Sequence, residues 1–226
     1  TASETSKVLE NSYRASNIAF INEWSLFAEQ VGIDLYEIIN AIKIRPTHNN
    51  IRQPGFGVGG YCLTKDPLMG RISCEQIFKI NPTNFPISSQ SVSINNDMPN
   101  NIIRVITTNS NLKLSDINIL LLGLTYREDI EDTRSSPTLT FIKNNYNYFK
   151  EIFCHDPIVE EHKSSNFNFL NTLPNPKNFQ VIVICVSHKF YRNLNLINWL
   201  SNYEGLLIDT TKLLSQKQER DLIDNK

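Results

Sequence analysis

The chain has 226 residues, enough for one large domain or two modest ones with real apolar cores. Its 22 Lys plus Arg against 23 Asp plus Glu leave a formal charge of −1, which excludes a nucleic-acid partner held by bulk electrostatics. No apolar run approaches a membrane span, no signal peptide opens the chain, and the four cysteines (Cys62, Cys74, Cys154, Cys185) lack the spacing of a disulfide scaffold or a zinc site, so the expectation is a cytoplasmic protein without membrane contact or metal. The 28 asparagines read as compositional bias.

In chain order, Glu4 to Val31 reads as one long helix with Val8, Leu9, Ile18, Ile21, Trp24, Phe27, Ala28 and Val31 on its apolar side and Gly32 as its stop. Lys7, Asn11 and Arg14 align at i, i+4 and i+7 on the polar face, and the plain reading of such a stripe is solvation. A second helix is expected from Leu35 to Ile44, capped by Asp34. Arg45, His48 and Arg52 then stand in a link suited to phosphates or sugar hydroxyls.

The stretch Gln53 to Pro67, QPGFGVGGYCLTKDP, is the most informative in the chain. Four of its 8 glycines (Gly55, Gly57, Gly59, Gly60) fall within six residues, just ahead of Cys62. Glycine permits positive φ and lets a ligand lie against main-chain N–H groups, so the turn suits an anionic or sugar-bearing ligand. If a helix begins near Cys62, Asp66 lies one turn further on, and a thiol and a carboxylate share one small space. Such a thiol suits covalent catalysis, with Lys65 or another lysine raising its thiolate population. The plain alternative is a small buried cysteine beside a tight turn.

Beyond the loop a helix is expected from Pro67 to Phe78, a break bracketed by Pro82 and Pro86, and a long helix from Ser88 to about Asn109 with a kink or first-turn position at Pro99. From Asp116 short apolar runs appear at α/β spacing: Ile117 to Leu122, Glu151 to Cys154, Val181 to Val186 and Leu206 to Ile208. Helical stretches from Pro137 to Tyr148 and Asn193 to Leu200 separate them. Near-continuous Ile/Leu/Val strands indicate a parallel sheet covered on both faces. The fold class is therefore α/β, with a helical domain over 1–112 and a Rossmann-like parallel-sheet domain over 113–226. No G-x-G-x-x-G occurs, so this sheet is a poor dinucleotide site, although Asp156 follows its second strand as a ribose-binding acid would. His155, VICVSH and Asp209-Thr210-Thr211 read as architectural.

QPGFGVGGYCLTKDP resembles the active-site loop of the nucleotide-sugar 6-dehydrogenases, the family acting on UDP-glucose, GDP-mannose and UDP-N-acetylmannosamine. KVLENSYRASNIAFINE resembles that family's helix carrying a K-x-x-x-N pair, SVSINNDMPNNIIRVI its linking helix, and GLTYREDIEDTRSSP its G-x-x-[FY]-K-x-x-x-x-D-T-R-x-S-P segment. The resemblance covers nearly the whole chain. It implies that Cys62 is the nucleophile, that Lys7 and Asn11 steady the oxyanion and that Asp66 orients or deprotonates water. It also implies that Arg45 and the loop residues Gly55, Phe56, Gly57, Gly59 and Gly60 meet the sugar nucleotide, with Tyr126 and Arg127 at its diphosphate. Arg127 stands where the family has lysine. The resemblance further implies NAD as the cofactor, bound mainly by a domain preceding this chain, with Arg134 and Lys65 contributing. By the same resemblance Thr1 begins in mid-protein, the central helices pair as a homodimer, and the chain alone does not turn over.

The reaction so implied takes the sugar C6 alcohol to a carboxylate in two hydride transfers through a Cys62 thiohemiacetal and thioester, making a precursor for polysaccharide or cell-surface glycan. Three rivals stand beside it. One is a non-catalytic nucleotide-sugar-binding or dimerisation module. Another is a hydroxyacid or phosphogluconate-type dehydrogenase, against which the cysteine loop counts. The third is an unrelated thiol enzyme, disfavoured because His48, His155, His162 and His188 all lie outside the loop. An Asp132 to Arg134 surface pair is the plain reading of the DTR turn.

Overall fold

The computed structural model describes residues 1–81 and 84–224, in two compact units, Thr1–Met98 and Pro99–Lys226. In the first, helix α1 (Ala2–Val31) ends as expected at Gly32, whose φ of 71° lets Ile33 N–H return to the Ala28 carbonyl at 2.9 Å. Its buried residues are Asn11, Ala15, Ala19, Ile21, Asn22 and Ala28, while Leu9, Trp24, Phe27 and Val31 are exposed. The expected apolar side is therefore only partly the packed side. Helix α2 (Leu35–Ile42) is capped by Asp34, whose carboxylate accepts from Tyr36 N–H at 2.9 Å, and it stops short of Ile44 ahead of a 3-10 turn at Pro46–His48.

Helix α3 (Asp66–Gln76) carries Pro67 in its first turn, where a missing N–H costs nothing. Helix α4 (Pro86–Asp97) starts on Pro86; Pro82 lies outside the described residues. The packed face of α1 is small because α4 lies against it through a polar seam. Ser91 Oγ bonds Ser16 Oγ at 3.0 Å, Asn95 Nδ2 donates to the Ala15 carbonyl at 3.1 Å, and Asn22 Nδ2 donates to Asn95 Oδ1 at 3.0 Å. The long helix expected from Ser88 to Asn109 is interrupted by a 3-10 turn at Met98–Asn100, after which α5 runs Asn101–Asn109. Proline cannot donate to the helical ladder, and the division between the units falls on it.

The second unit holds five parallel strands: β1 (Asn118–Leu122), β2 (Glu151–His155), β3 (Asn168–Leu170), β4 (Val181–Ile184) and β5 (Leu206–Asp209), in the order β3-β2-β1-β4-β5. Strands β1 and β4 are central, and residues 119–122 and 181–184 are fully buried, the signature of a sheet covered on both faces. Strand β3 escaped the sequence reading because three residues are too few to show a period. Helix α6 spans Pro137–Asn145. A separate α7 (Lys189–Asn193) comes next, and of the helix expected over Asn193–Leu200 only α8 (Leu196–Trp199) is present, capped by Asn195 through Asn198 N–H at 3.1 Å. Helix α9 is Gln216–Asp224.

Strand order reverses between β1 and β4, which opens a crevice at their carboxyl ends. There Gly123, at φ 104°, lies so close to the loop after β4 that an added Cβ would meet Val186 Cβ at 2.5 Å. Gly123→Ala is expected to lose about 2 kcal/mol or more of unfolding free energy in urea titrations, since it adds both backbone strain and overlap; an unchanged midpoint would show that the two loops separate without cost.

Candidate functional site

In the first unit the glycine loop turns on Gly57 (φ 140°) and Gly60 (φ 80°), conformations that side chains resist. Two anchors hold it. Gly55 N–H donates to Asn22 Oδ1 at 3.2 Å, linking the loop to the α1–α4 seam, and Phe56 is buried at 7 % exposure. Phe56, counted with the ligand-facing residues in the sequence, is thus a core anchor of the loop. Cys62 is exposed at the loop's exit.

Cys62 does not begin a helix. Its carbonyl accepts the N–H groups of Lys65 (3.2 Å) and Asp66 (2.9 Å), so Cys62 to Lys65 form a turn and α3 starts on Asp66. Asp66 is 5 % exposed, and each of its oxygens is met: Oδ1 by Lys65 Nζ at 2.6 Å and Oδ2 by Asn11 Nδ2 at 2.8 Å. Burial by itself would raise this carboxyl's pKa, but the bonds from Lys65 and Asn11, with the charges of Lys65 and Lys7, outweigh it and hold it below the ordinary range. The bond to Asp66 pushes the Lys65 ammonium's pKa up, and Cys62 lies within electrostatic reach of the same ammonium. Lys65 Nζ also sits 4.5 Å from the centre of the Tyr61 ring.

The structure therefore gathers Cys62, Lys65, Asp66, Asn11 and Lys7 around one turn. Asn11 is buried against Asp66, so the Lys7–Asn11–Arg14 stripe is not simply solvated. Lys65, expected at the cofactor, is bonded to Asp66. Arg45, His48 and Arg52 are exposed on the link.

In the second unit the segment after β1 is built around Asp156. Its carboxylate accepts N–H groups from Leu124 (2.7 Å), Thr125 (3.1 Å), Ile158 (2.9 Å) and Val159 (3.2 Å), and faces His188 Nε2 at 3.2 Å. Desolvation would raise its pKa, yet the bonds from His188, Ile158 and Leu124 hold it far below the usual carboxylate range. Tyr126 is half-buried, its N–H donating to the Asp132 carbonyl at 2.9 Å, and Arg127 is exposed. Arg134 lies on the surface, where Nη2 meets Asp132 Oδ2 at 2.6 Å.

Asp156 is 2 % exposed and its carboxylate is taken up by main-chain N–H groups and His188, so it is not presented as an acid for a ribose hydroxyl. The sequence reading passed over Asn22 and Asn95, and took His188, within VICVSH, as architectural without seeing its tie to Asp156. Asn22 betrays itself only as an amide beside Ile21 on an apolar stretch, and His188 as a histidine in the loop after a buried strand.

Two family models match the chain: the central domain of the UDP-glucose/GDP-mannose dehydrogenase family over residues 1–97, and that family's UDP binding domain over residues 120–216. A UDP-N-acetyl-D-mannosamine dehydrogenase of Pyrococcus horikoshii is 32 % identical over 200 residues, covering 86 % of this chain and 44 % of the relative. The solved structure of a UDP-D-ManNAc dehydrogenase from the same organism superposes with a TM-score of 0.72 at 28 % identity, over 92 % of this chain and 48 % of that one. An NDP-N-acetyl-D-galactosaminuronic acid dehydrogenase of Methanosarcina mazei Go1 shares the fold with a TM-score of 0.84 at 23 % identity, over 100 % of this chain and 49 % of that one. The chain thus spans about half the length of the relatives it matches. The chain is therefore a member of the UDP-glucose/GDP-mannose dehydrogenase family through its central and UDP-binding domains.

Proposed function

We propose that this chain carries the covalent and substrate-binding part of an NAD-dependent nucleotide-sugar 6-dehydrogenase that takes a sugar C6 alcohol to the carboxylate in two oxidations. The observation that carries the reading is the Cys62 turn, with an ionised Asp66 held between Asn11 and Lys65 at the end of a glycine loop. In this reading NAD is held mainly outside this sheet, and the chain's own residues handle the carbonyl carbon.

In this reading the Cys62 thiolate adds to the aldehyde carbon. A C–S bond forms while the π pair moves onto oxygen, and Lys7 and Lys65 supply positive charge to steady it. Covalent attachment keeps the intermediate aldehyde from diffusing away between the two oxidations. At the thioester stage water adds to the carbon, the C–S bond breaks and its electron pair returns to sulfur. Asp66 orients that water: a carboxylate held more acidic than usual is a weak base but a good acceptor. Asn11, already donating to Asp66, acts through it and not directly on the oxyanion. The loop residues Gly55, Gly57, Gly59 and Gly60 with Arg45 receive the sugar end of the substrate, and Tyr126 and Arg127 its diphosphate, with Arg134 left for the cofactor's pyrophosphate.

A homodimer through the central helices is part of the same proposal. Leu9, Tyr13, Phe20, Trp24, Phe27 and Val31 are spaced by 3, 4 or 7 along α1, and all are between 47 % and 68 % exposed. The Trp24 ring stands edge-on to Phe20 and Phe27, with centroids 6.4 and 5.8 Å away. So large an apolar row calls for a partner.

The complete protein is to be incubated with NAD and a panel of UDP- and GDP-sugars while NADH is followed. UDP-N-acetylhexosamines head the panel because the relatives are named for them. Cys62→Ala is expected to release no acid, and acid production at the wild-type rate would remove Cys62 from the mechanism. Asp66→Asn is expected to slow thioester hydrolysis by about 10²-fold in single-turnover measurements. Trp24→Glu is expected to halve the mass seen by light scattering, and an unchanged mass would move the self-contact away from α1.

A further inference from the structure

The loop after β4 reaches over the loop after β1, and their contact centres on a histidine that the proposed chemistry does not use. His188 is fully buried. Asp129 N–H donates to its Nδ1 at 3.0 Å, which makes Nδ1 the unprotonated acceptor and leaves the hydrogen on Nε2. Nε2 faces Asp156 Oδ2 at 3.2 Å and Thr125 Oγ1 at 3.1 Å. The Thr125 hydroxyl in turn donates to the Arg127 carbonyl at 2.9 Å.

One ring thereby holds both ends of the segment 125–129, and Tyr126 and Arg127 stand between those ends. Asp129 is kept at φ 56°, an uncommon conformation for a side-chain-bearing residue, and its carboxylate accepts Lys189 N–H at 3.0 Å. Glu128 is tied to the same loop, through Ser187 Oγ at 3.1 Å and through Arg192. A segment without helix or strand is pinned from inside by the buried His188 and Thr125 and from outside by the bonds of Glu128 and Asp129, as presentation of two side chains at a fixed geometry demands.

We propose that His188 is a positioning residue for the nucleotide diphosphate: by accepting the Asp129 N–H it sets the backbone that presents Tyr126 and Arg127 to the ligand. This rests on the proposed role of those two side chains. The effect belongs to ligand affinity and not to the chemical step, because His188 lies in the UDP-binding unit while Cys62 lies in the other.

The test uses the complete protein and UDP, the nucleotide for which the matching domain is described. Affinity is measured by calorimetry alongside KM, kcat and thermal unfolding, for His188→Ala, His188→Asn, His188→Gln and Arg127→Ala. The asparagine carbonyl overlays Nδ1 and keeps the acceptor, whereas the glutamine amide overlays Nε2 and keeps only the donor. Expected are a loss of UDP affinity and a rise in KM of about tenfold or more for the Ala and Gln variants, kcat changing far less, and recovery of most of both in the Asn variant. Equal affinities for the Asn and Gln variants, or wild-type affinity in His188→Ala, would overturn the role of His188. If His188→Ala does not fold, the Asn and Gln pair decides. Wild-type UDP affinity in Arg127→Ala would instead remove the underlying reading of that loop, and the inference with it; weakened binding in Arg127→Ala with unaffected His188 variants removes the inference alone.

Discussion

A carboxylate taken out of water must be met by donors, and each unit is organised around one that is. The desolvation cost is several kcal/mol, and removing one partner of such a group typically costs about 3–5 kcal/mol, so the donors are structural requirements. Asp66 begins α3 and draws Asn11 from α1 and Lys65 from its own turn. Asp156 follows β2 and draws four main-chain N–H groups and His188 from three separate segments.

The two carboxylates differ in how freely their partners exchange. Backbone amides around Asp156 move only if the sheet's loops move, so that site is rigid by construction. Lys65 is a long side chain at the surface, 37 % exposed, and swings away at little cost. Asp66 therefore keeps one fixed donor, Asn11, and one releasable donor, Lys65. If the proposed chemistry holds, that asymmetry lets one oxygen of Asp66 be freed while the other stays fixed.

The sequence was most legible where periodicity and special residues agreed. The α1 stop at Gly32, the Asp34 cap, the apolar strands β1, β2, β4 and β5, and the break at Pro99 follow from spacing and backbone chemistry. The Cys62 to Asp66 turn was foreshadowed by glycine clustering and by family resemblance. What escaped had physical reasons. β3 is three residues long, too short to alternate. The packed face of α1 is mostly alanine and asparagine with Ile21, so large apolar side chains mark it only in part and point as much to the exposed face. Asn22 and Asn95 vanished among 28 asparagines, most of which are surface residues. Asp156 and His188 are 32 residues apart in the chain and meet only because β1 lies between β2 and β4, a fact of sheet order that no local window contains.

The amide seam between α1 and α4 also bears on how the two helices meet. Leucine-on-leucine contacts tolerate sliding, since one apolar neighbour serves nearly as well as the next. Here Asn22 has its nitrogen on Asn95 and its oxygen on Gly55, while Asn95 returns to Ala15. Displacing either helix by one turn would strand these buried amides without partners, at about 1–3 kcal/mol for each group. The pair consequently has a single phase, and the Cys62 turn inherits that phase through Gly55, so mechanical accuracy at the sulfur is set by two asparagines that never touch it.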